Sequence, residues 1–389
     1  MANFGDYQMG IYLAGAAGRK PALPIAFEGL EAAAHQVLDP ELLGYVAGGA
    51  GDERTQRLNV EAFAQWGLMP RMLVGAAQRD LSVELFGQRF PSPIFMSPVG
   101  VLGACREDGD LAVARASAVT GVPMFASTLS AATLEQVRLA QGATPGFFQL
   151  YPPNDPELSQ SLVSRAEAAG YAGIVVTVDT WVNGWRPRDL SNGYIPMLRG
   201  LCLENYRSDP RFQELVAAQP AGQAGAVELT WAGIFGRPTL NWSDIDALRE
   251  ATSLPLIIKG ICAPEDAKKA QDHGADGIIC SNHGGRQANG GLSALQCLPA
   301  VVEATGLPVL FDSGVRSGTD VVKALALGAR AVGIGRPYVY GLTVAGAAGV
   351  EQVLRGILAE ADLLMAVDGY AAIADLIPEA LHRVAGPAA

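Results

Sequence analysis

The amino-acid sequence predicts an α/β protein whose core is a (β/α)₈ TIM barrel, with an N-terminal helical extension and a long lid loop after the fourth strand. Eight short apolar runs recur along the chain, separated by stretches with helical spacing or helix caps. Seven of these runs are almost continuously apolar, which is typical of parallel strands buried on both faces. A doubly wound sheet is the alternative, but the G-x-G-x-x-G turn expected after its first strand is missing.

The predicted strands cover residues 93–97, 122–126, 146–151, 173–178, 255–259, 277–281, 308–312 and 331–335. Between the third and fourth of them, Asp155 followed by a proline begins a helix that ends before Gly170. After the seventh strand, Ser317 begins another helix, which ends at Gly328. Strands and helices therefore alternate as the barrel requires.

Two segments fall outside this repeat. Residues 1–75 are predicted to form an N-terminal extension with helices over 26–38 and 40–47, and residues 76–389 to form the barrel. About 60 residues, roughly 181–243, separate the fourth and fifth strands, and they are rich in glycine and proline. A structureless loop of this length is usually functional or mobile. We therefore expect a mobile lid over about residues 187–240, at the C-terminal mouth of the barrel.

Composition excludes several classes of protein. The 389 residues carry 28 Lys and Arg against 39 Asp and Glu, a formal net charge of −11, which argues against binding to nucleic acid. Hydrophobic residues make up 49% and charged residues 17%, which argues against general disorder. The sequence shows no secretion signal and no convincing membrane span, and its five cysteines form no C-x-x-C pair. We expect a cytoplasmic protein with reduced thiols that does not bind membranes.

Polar or glycine residues stand at nearly every predicted strand end, where barrel enzymes build their active sites. One such residue would mean little, but a ring of them predicts a large polar ligand across the barrel mouth. These strand-end residues are Pro98, Val99, Gly100, Ser127, Gln149, Tyr151, Thr177, Asp179, Lys259, Ser281, Asp312 and Gly335.

The last two strand ends predict a phosphate site. The segment Asp312-Ser313-Gly314-Val315-Arg316 and the segment from Gly333 to Pro337, which contains Gly335 and Arg336, are glycine-bearing turns. Each carries an arginine and leads into a helix. Exposed backbone N–H groups together with a guanidinium bind phosphate at this place in many barrels.

His283 is the residue whose local sequence most specifically indicates a catalytic group. Of the four histidines it alone stands at a strand end, in the run S-N-H-G-G-R-Q with Arg286 three residues later. His35 and His382 are predicted on helix surfaces, and His273 in the last turn of a helix. No second histidine or cysteine has the spacing of a metal ligand, so we expect no metal site. His283 is therefore interpreted as a general base or acid.

Other candidates are less specific. Lys259 ends an apolar strand and could serve as a Schiff-base nucleophile, a phosphate contact or a charge stabiliser. Asp179 could steady an imidazolium, and Arg186 could complete a carboxylate clamp. From spacing alone, Tyr45 would be assigned to helix packing.

At this point the motifs S-N-H-G-G-R-Q, F-D-S-G-V-R, G-I-G-R-P and F-F-Q-L-Y on a barrel resemble those of the FMN-dependent L-2-hydroxy acid oxidases and dehydrogenases. The resemblance runs from about residue 25 to residue 385. Within the family the chain looks most like the lactate 2-monooxygenase group, through stretches such as Y-V-A-G-G-A-G-D-E-R-T-Q.

The resemblance implies roles for the strand-end residues. His283 would be the catalytic base, oriented by Asp179, and Arg186 and Arg286 would hold the substrate carboxylate with Tyr45 and Tyr151. Lys259 would face the flavin pyrimidine, where a cation stabilises the reduced cofactor. The family's FMN contacts carry over to Pro98, Val99, Gly100, Ser127, Gln149, Thr177, Lys259 and Ser281, with the phosphate on Asp312, Ser313, Gly314, Arg316, Gly335 and Arg336.

Two positions depart from the commonest family pattern. Leu129 stands where an aromatic residue commonly lines the substrate pocket, and Gly100 where the oxidases usually carry alanine; the lactate monooxygenase group shares the glycine. We expect L-lactate and O₂ as substrates, with retained pyruvate converted to acetate, CO₂ and water. The alternative is an oxidase that releases pyruvate and H₂O₂.

Two further alternatives are a flavin-binding barrel without redox turnover and a membrane-linked dehydrogenase that reduces quinone. The intact set of candidate site residues argues against the first. The mouth segment lacks the apolar or basic insertion that the second requires. By resemblance, the protein is expected to assemble as a homotetramer or homo-octamer.

Overall fold

The computed structural model describes residues 3–384. Its N-terminal region is helical: α1 Asp6–Ala16, α2 Phe27–Val37, α3 Pro40–Ala47 and α4 Arg54–Glu61, then a 3₁₀ turn Ala62–Gln65 and strand β1 Trp66–Leu68. Helix α3 begins where predicted because Asp39 caps it by accepting a hydrogen bond from the Leu42 amide. The predicted extension is thus mainly helical, but its strand β1 pairs with residues 381–383 near the C-terminus.

A hairpin and eight parallel strands follow. The hairpin is β2 Val83–Leu85 and β3 Gln88–Phe90, and the parallel strands are β4 Ile94–Met96, β5 Phe125–Ser127, β6 Phe147–Leu150, β7 Ile174–Thr177, β8 Leu256–Ile261, β9 Gly277–Cys280, β10 Val309–Phe311 and β11 Val332–Ile334. The parallel strands neighbour one another in the order β4-β11-β10-β9-β8-β7-β6-β5. A parallel bridge from Met96 to Met124 closes the ring. The predicted barrel is confirmed.

All eight predicted strands exist, and each is buried along its length except for one half-buried residue of β8. Some bounds differ, because β5 begins at Phe125 rather than at residue 122 and β8 extends to Ile261. The extension of β8 contains a register shift between Lys259 and Ile261. This irregularity lies at the end that carries Lys259 and displaces the strand end locally.

The helices that follow are α5 Leu102–Cys105, α6 Gly109–Thr120, α7 Leu134–Ala140, α8 Pro156–Ala168, α9 Pro187–Asn192, α10 Glu204–Arg207, α11 Pro210–Ala217, α12 Ala226–Ile234, α13 Trp242–Ala251, α14 Pro264–Asp272, α15 Ala294–Ala304, α16 Gly318–Ala326 and α17 Arg336–Asp368. Short 3₁₀ turns cover Pro196–Arg199, His283–Gly285, Ile373–Asp375 and Pro378–Ala380, and a last strand, β12 Leu381–Arg383, pairs antiparallel with β1. Residues 385–389, which belong to the predicted barrel segment, lie outside the described residues.

The hairpin β2–β3 covers the N-terminal end of the barrel, a feature the sequence prediction missed. Leu85 and Phe90 join a buried cluster with Phe95, Phe125 and Phe147 from the barrel strands. The rings of Phe95 and Phe125 stack with centroids 4.4 Å apart. This end is therefore filled with aromatic side chains, and the ligand site must lie at the other end.

The segment after β7, roughly residues 181–243, is not structureless as the sequence analysis expected, and its mobility as a lid stays a prediction. Helices α9 to α12 occupy about half of residues 187–240. Pro187 and Pro210 occupy first-turn positions of α9 and α11, and Gly193 ends α9 in the left-handed conformation. Because Met197 and Phe235 line the main cavity, the segment does lie over the barrel mouth, as predicted.

Two histidines differ from their predicted places. His382 lies in β12 rather than on a helix, and His35 packs edge-on against Tyr340 on the inner side of α2, with its Nε2 buried. Among the described residues, α17 meets the length and apolar composition of a membrane span, with half of its apolar window buried in the protein. Non-helical torsions at Ala345 and Gly346 break it into two shorter helices.

Candidate active site

The main cavity opens at the C-terminal ends of the barrel strands and contains about 1070 Å³ of space not occupied by protein atoms, part of it open to solvent. Residues from α3, from the strand ends and from the start of α17 line it. Of the predicted site residues, those in its wall are Tyr45, Pro98, Val99, Gly100, Tyr151, Arg186, Lys259, His283, Arg286, Asp312, Ser313, Gly314, Arg316, Gly335 and Arg336.

Five predicted residues lie outside this wall: Ser127, Gln149, Thr177, Asp179 and Ser281. The side chains of Gln149 and Thr177 are joined by a hydrogen bond of 3.0 Å from Nε2 to Oγ1. Gln149 Oε1 is buried and accepts no hydrogen bond from the described residues. A buried carbonyl oxygen without a partner costs free energy, so this atom is an available acceptor for an N–H group of a ligand.

His283 and Asp179 form a buried pair. His283 Nδ1 lies 2.8 Å from Asp179 Oδ1, and the Thr180 hydroxyl donates to the same carboxylate oxygen at 2.8 Å. Burial alone would raise the pKa of Asp179, but the charges of His283 and Lys259 and these hydrogen bonds outweigh burial and hold it below its usual range. Asp179 is therefore an anion at neutral pH.

Burial lowers the pKa of His283, since the opposing attraction of Asp179 is partly offset by Lys259 and Arg286. The imidazole is thus neutral at pH 7, with the Nδ1 proton directed at Asp179. Its other nitrogen, Nε2, has no hydrogen bond to the described residues, and the ring lines the cavity. This arrangement leaves a basic nitrogen available to a bound ligand.

The turn that carries His283 has an unusual backbone. His283 has φ of 58° and Gly284 has φ of 63°, both in the left-handed region. The Ser281 hydroxyl accepts the His283 amide at 3.1 Å, and the Ser313 hydroxyl accepts the Gly284 amide at 3.0 Å. Hydrogen bonds from two neighbouring strand ends therefore hold a strained residue at the site.

Lys259 lies in a buried charge cluster. It is 3% exposed, and its Nζ donates to the Ser281 hydroxyl at 3.1 Å and lies 3.9 Å from both Asp179 Oδ2 and Asp312 Oδ2. The Asp312 carboxylate accepts hydrogen bonds from Ser97, Ser281 and Ser313. The Asp312 carboxylate therefore offsets the charge of Lys259, and its predicted contact with a phosphate stays a prediction.

Arg186 and Arg286 meet over one aromatic ring. Their guanidinium carbons lie 5.2 and 5.1 Å from the centroid of the Tyr45 ring. Arg186 is also paired with Asp189 at 3.2 Å, and Arg286 donates to the Gly48 carbonyl at 2.6 Å. Burial and the two neighbouring arginines, Arg186 and Arg336, lower the pKa of Arg286 to about 10, which still leaves it charged at neutral pH. Two cations that converge on one side of the cavity have the charge and the donors to bind a carboxylate.

Tyr151 faces this pair from β6. Burial raises the pKa of its phenol, and the nearby Asp179 adds to the effect, so Tyr151 is a hydrogen-bond donor at any ordinary pH. Its ring meets that of Phe235 edge-on at 5.4 Å, and Phe235 packs on Trp231 at 4.8 Å. The segment after β7 thus closes the pocket with an aromatic wall.

A second basic part of the cavity wall is formed by Arg316 and Arg336. Arg316 stacks 4.6 Å from the centroid of Phe27, and burial lowers its pKa. Arg336 donates from Nε to Val46 O and from Nη2 to Ala47 O, Gly48 O and Gln56 Oε1, while Nη1 makes no hydrogen bond to the described residues. Gly335 has open space where a side chain would stand. Backbone amides, together with guanidinium groups that have no carboxylate partner among the described residues, can bind a phosphate here.

Gly100 and Leu129 are in contact. A Cβ added to Gly100 would lie 3.0 Å from Leu129 Cβ and 3.4 Å from its carbonyl oxygen. Both residues line the cavity. The two departures from the family pattern therefore belong to one part of the wall, and a methyl group at position 100 would require Leu129 to move.

Sequence reasoning missed Thr180, Asn183, Met197 and Phe235, which all line the cavity from the segment after β7. Thr180 could have been suspected from its place beside Asp179, whereas only folding of the long segment shows that Met197 and Phe235 reach the site. Within residues 3–384, no group of His, Cys, Asp and Glu is arranged to hold a metal ion.

Comparisons with known proteins agree with this geometry. A family model described as FMN-dependent dehydrogenase matches residues 34–383. The FMN-dependent alpha-hydroxy acid dehydrogenase qulF of Penicillium citrinum is 38% identical over 99% of this chain and 97% of its own length. The L-lactate oxidase of Lysinibacillus sphaericus is 41% identical over 91% of each chain. A soluble mutant of the membrane-associated (S)-mandelate dehydrogenase from Pseudomonas putida has a TM-score of 0.82 and 37% identity, over 92% of this chain and 99% of that one.

Proposed function

This chain belongs to the FMN-dependent dehydrogenase family, and on that premise we propose that it oxidises L-lactate with O₂ and retains the pyruvate for oxidative decarboxylation. FMN is its cofactor and 2-hydroxy acids are its substrate class. L-lactate and the final products are our proposal. The overall reaction converts one lactate and one O₂ into acetate, CO₂ and water, which balances in atoms and electrons.

The observation that carries the proposal is the free Nε2 of His283 at the cavity, with Asp179 fixing the proton on Nδ1. In this tautomer the imidazole accepts a proton from the substrate hydroxyl or from Cα, and Asp179 stabilises the resulting imidazolium. The hydrogen bond from Thr180 keeps the carboxylate in place. A neutral, buried imidazole beside an anion suits a general base that works near neutral pH.

Arg186 and Arg286 would hold the substrate carboxylate, because both guanidinium groups converge on the Tyr45 side of the cavity. Tyr151 would donate to the substrate from the facing wall. Fixing the carboxylate at two points orients Cα–H towards the reacting centre, which is a large contribution to rate in enzymes.

FMN, when bound, accepts the two electrons that leave the substrate Cα. Lys259, held at the strand end by Ser281, would supply a positive charge to the reduced cofactor. Gln149 Oε1 would accept from a ring N–H of the cofactor, and the amides of residues 313–315 with Arg316, Gly335 and Arg336 would bind its phosphate. The size of the cavity and the basic groups in its wall fit a cofactor that carries a phosphate.

Retention of pyruvate is supported by the apolar side chains that line the cavity near the two arginines. Met197 and Phe235 from the segment after β7 line the cavity together with Leu129. The same two arginines that bind the substrate carboxylate can keep the product carboxylate bound while O₂ is reduced. Leu129 and the aromatic wall limit the space beside Cα, which favours a small aliphatic side chain.

The substrate proposal is tested by anaerobic reduction of the purified yellow protein with L-lactate and, in parallel, with (S)-mandelate. We expect L-lactate to bleach the flavin with the higher ratio of limiting rate to apparent Kd. A protein that mandelate bleaches efficiently and lactate does not would contradict the proposal. Failure of every 2-hydroxy acid would favour a flavin-binding barrel without redox turnover.

The second candidate is an oxidase that releases pyruvate and H₂O₂. The 41% identity to an L-lactate oxidase favours it, and it uses the same residues up to the reduction of O₂.

We further propose a homo-oligomer, because Trp181, Val182 and Trp185 near the mouth are exposed, Trp185 by 73%. Light scattering of the purified protein tests this assembly; a monomeric mass would contradict it.

A further inference from the structure

Asp110 is a buried carboxylate that the proposed reaction does not use. It lies in the first turn of α6 and is 2% exposed. Its Oδ2 accepts a hydrogen bond from the Ala131 amide at 3.0 Å, and its Oδ1 has no partner among residues 3–384. Burying a carboxylate with so few partners costs free energy, so its presence needs an explanation.

The carboxylate joins two loops. One follows β4 and continues into α5, and the other follows β5. At their contact, a Cβ added to Gly103 would lie 2.2 Å from Ala131 Cβ and 3.4 Å from Asp110 Oδ2. The loops therefore touch at Gly103 and Ala131, with Asp110 packed beside the contact.

The same two loops form part of the cavity wall. Gly100 and Leu129 line the cavity, and the Val101 amide donates to the Leu129 carbonyl at 3.4 Å. Gly100 is three residues from Gly103, and Leu129 is two residues from Ala131. The contact at Gly103 and Ala131 therefore lies within three residues of the cavity wall on both loops.

The surroundings of Asp110 make its charge costly. The titratable groups that face it are Cys105 of α5, Cys202 after β7, Tyr171 before β7 and Tyr338 of α17, none of which carries a positive charge. Burial raises the pKa of Asp110 to about 6, and the hydrogen bond from Ala131, with the nearby Ser130 hydroxyl and the amides of Gly103 and Asp110 itself, only partly opposes the effect. Asp110 thus gains its charge just below neutral pH.

We propose that Asp110 is a positioning residue, which binds the Ala131 amide, keeps the two loops together and so fixes the wall formed by Gly100 and Leu129 against the substrate. This inference rests on the proposed oxidation of a small 2-hydroxy acid in this cavity. The ionised carboxylate is the stronger acceptor for the amide. Substrate should therefore bind more weakly as Asp110 becomes protonated.

The test is anaerobic flavin reduction of the holoenzyme by L-lactate between about pH 5 and about pH 8. For Asp110→Ala we expect the apparent Kd to rise about tenfold at neutral pH, while the limiting rate changes less than about threefold. Asp110→Asn keeps an acceptor for the Ala131 amide but no charge. Its apparent Kd should equal the low-pH value of the wild type at every pH.

Asp362→Asn is the matched control, because Asp362 is 1% exposed and accepts the Gly5 amide and Arg79 without lining the cavity. We expect it to leave the apparent Kd and its pH dependence unchanged. If Asp110→Ala does not fold, Asp110→Asn alone decides.

An unchanged Kd in Asp110→Ala, a wild-type pH dependence in Asp110→Asn, or the same shift in Asp362→Asn would overturn the inference. If wild-type flavin is bleached by another 2-hydroxy acid and not by lactate, the substrate proposal fails instead, and the same variants are measured with that acid.

Discussion

His283 Nδ1 lies 2.8 Å from Asp179 Oδ1, although 104 positions separate the two residues in the sequence. The strand ends of β7 and β9 bring them together on either side of Lys259, whose Nζ lies 3.9 Å from Asp179 Oδ2. The pair fixes the imidazole tautomer and leaves Nε2 free at the cavity. The proposed chemistry depends on this hydrogen bond between His283 and Asp179 and on the cavity wall around it.

Replacing His283 by alanine should abolish reduction of the bound flavin by lactate, with a loss of at least about 10³-fold, because no other group in the wall has a free basic nitrogen at this place. FMN should stay bound, which the flavin absorbance of the variant reports. His273→Ala is the control, since His273 pairs with Asp246 and stacks on Trp242 away from the cavity. Normal bleaching of His283→Ala by lactate would exclude the base role.

The pH profile should report the same imidazole. A base works when deprotonated, and burial lowers the pKa of His283 from its ordinary value of about 6.5. Activity should therefore be level at neutral pH and fall only as the pH drops below about 6.5. The measurement is the limiting rate of flavin reduction at saturating lactate against pH, because kcat/KM would also contain the proposed effect of Asp110 on binding. A loss of activity on the acid side with its midpoint above pH 7 would show that burial does not lower the pKa of His283.

Lys259→Met should make the reduced cofactor less stable. It removes the cation that Asp179 and Asp312 share, and leaves two buried carboxylates without it. We expect the midpoint potential of bound FMN to fall by about 30 mV or more, equivalent to about 1.4 kcal/mol for a two-electron couple. Potentiometric titration measures this, and Lys269→Met on the exposed side of α14 is the control. An unchanged midpoint potential would show that Lys259 does not stabilise the reduced cofactor.

Gly100→Ala should divert product from acetate to pyruvate and H₂O₂. The new methyl group would lie 3.0 Å from Leu129 Cβ, so Leu129 must move and the wall beside the retained ketoacid changes. Shortening the neighbour in the double variant Gly100→Ala with Leu129→Ala should restore part of the acetate yield. Equal acetate yields in the wild type and Gly100→Ala would show that the contact between position 100 and Leu129 does not affect product retention.

The barrel and most of the site residues could be predicted from the sequence because their signals are local. Apolar β-branched runs predicted β4 to β11, and the caps at Asp155 and Ser317 predicted helix starts that the structure has. The resemblance to a family placed Tyr45, which nothing in its local sequence distinguished. In the structure both arginines lie over its ring.

The remainder depends on contacts between distant segments. The helices after β7 were missed because Pro187, Pro210 and Gly193 are signals for loops and for helix ends alike. Asp312 lies near the charge of Lys259, and the ring of Phe235 packs on that of Tyr151. Both contacts arise from packing across the barrel mouth. Sequence spacing carries no information on such pairings.

The most direct test of the account is aerobic turnover of the purified protein with L-lactate, in which acetate, CO₂, pyruvate and H₂O₂ are measured together with and without catalase. Catalase is decisive because free peroxide would convert released pyruvate to acetate in solution. We predict acetate equal to the lactate consumed whether or not catalase is present. Pyruvate that accumulates in the presence of catalase would contradict retention of the product and assign the protein as an oxidase.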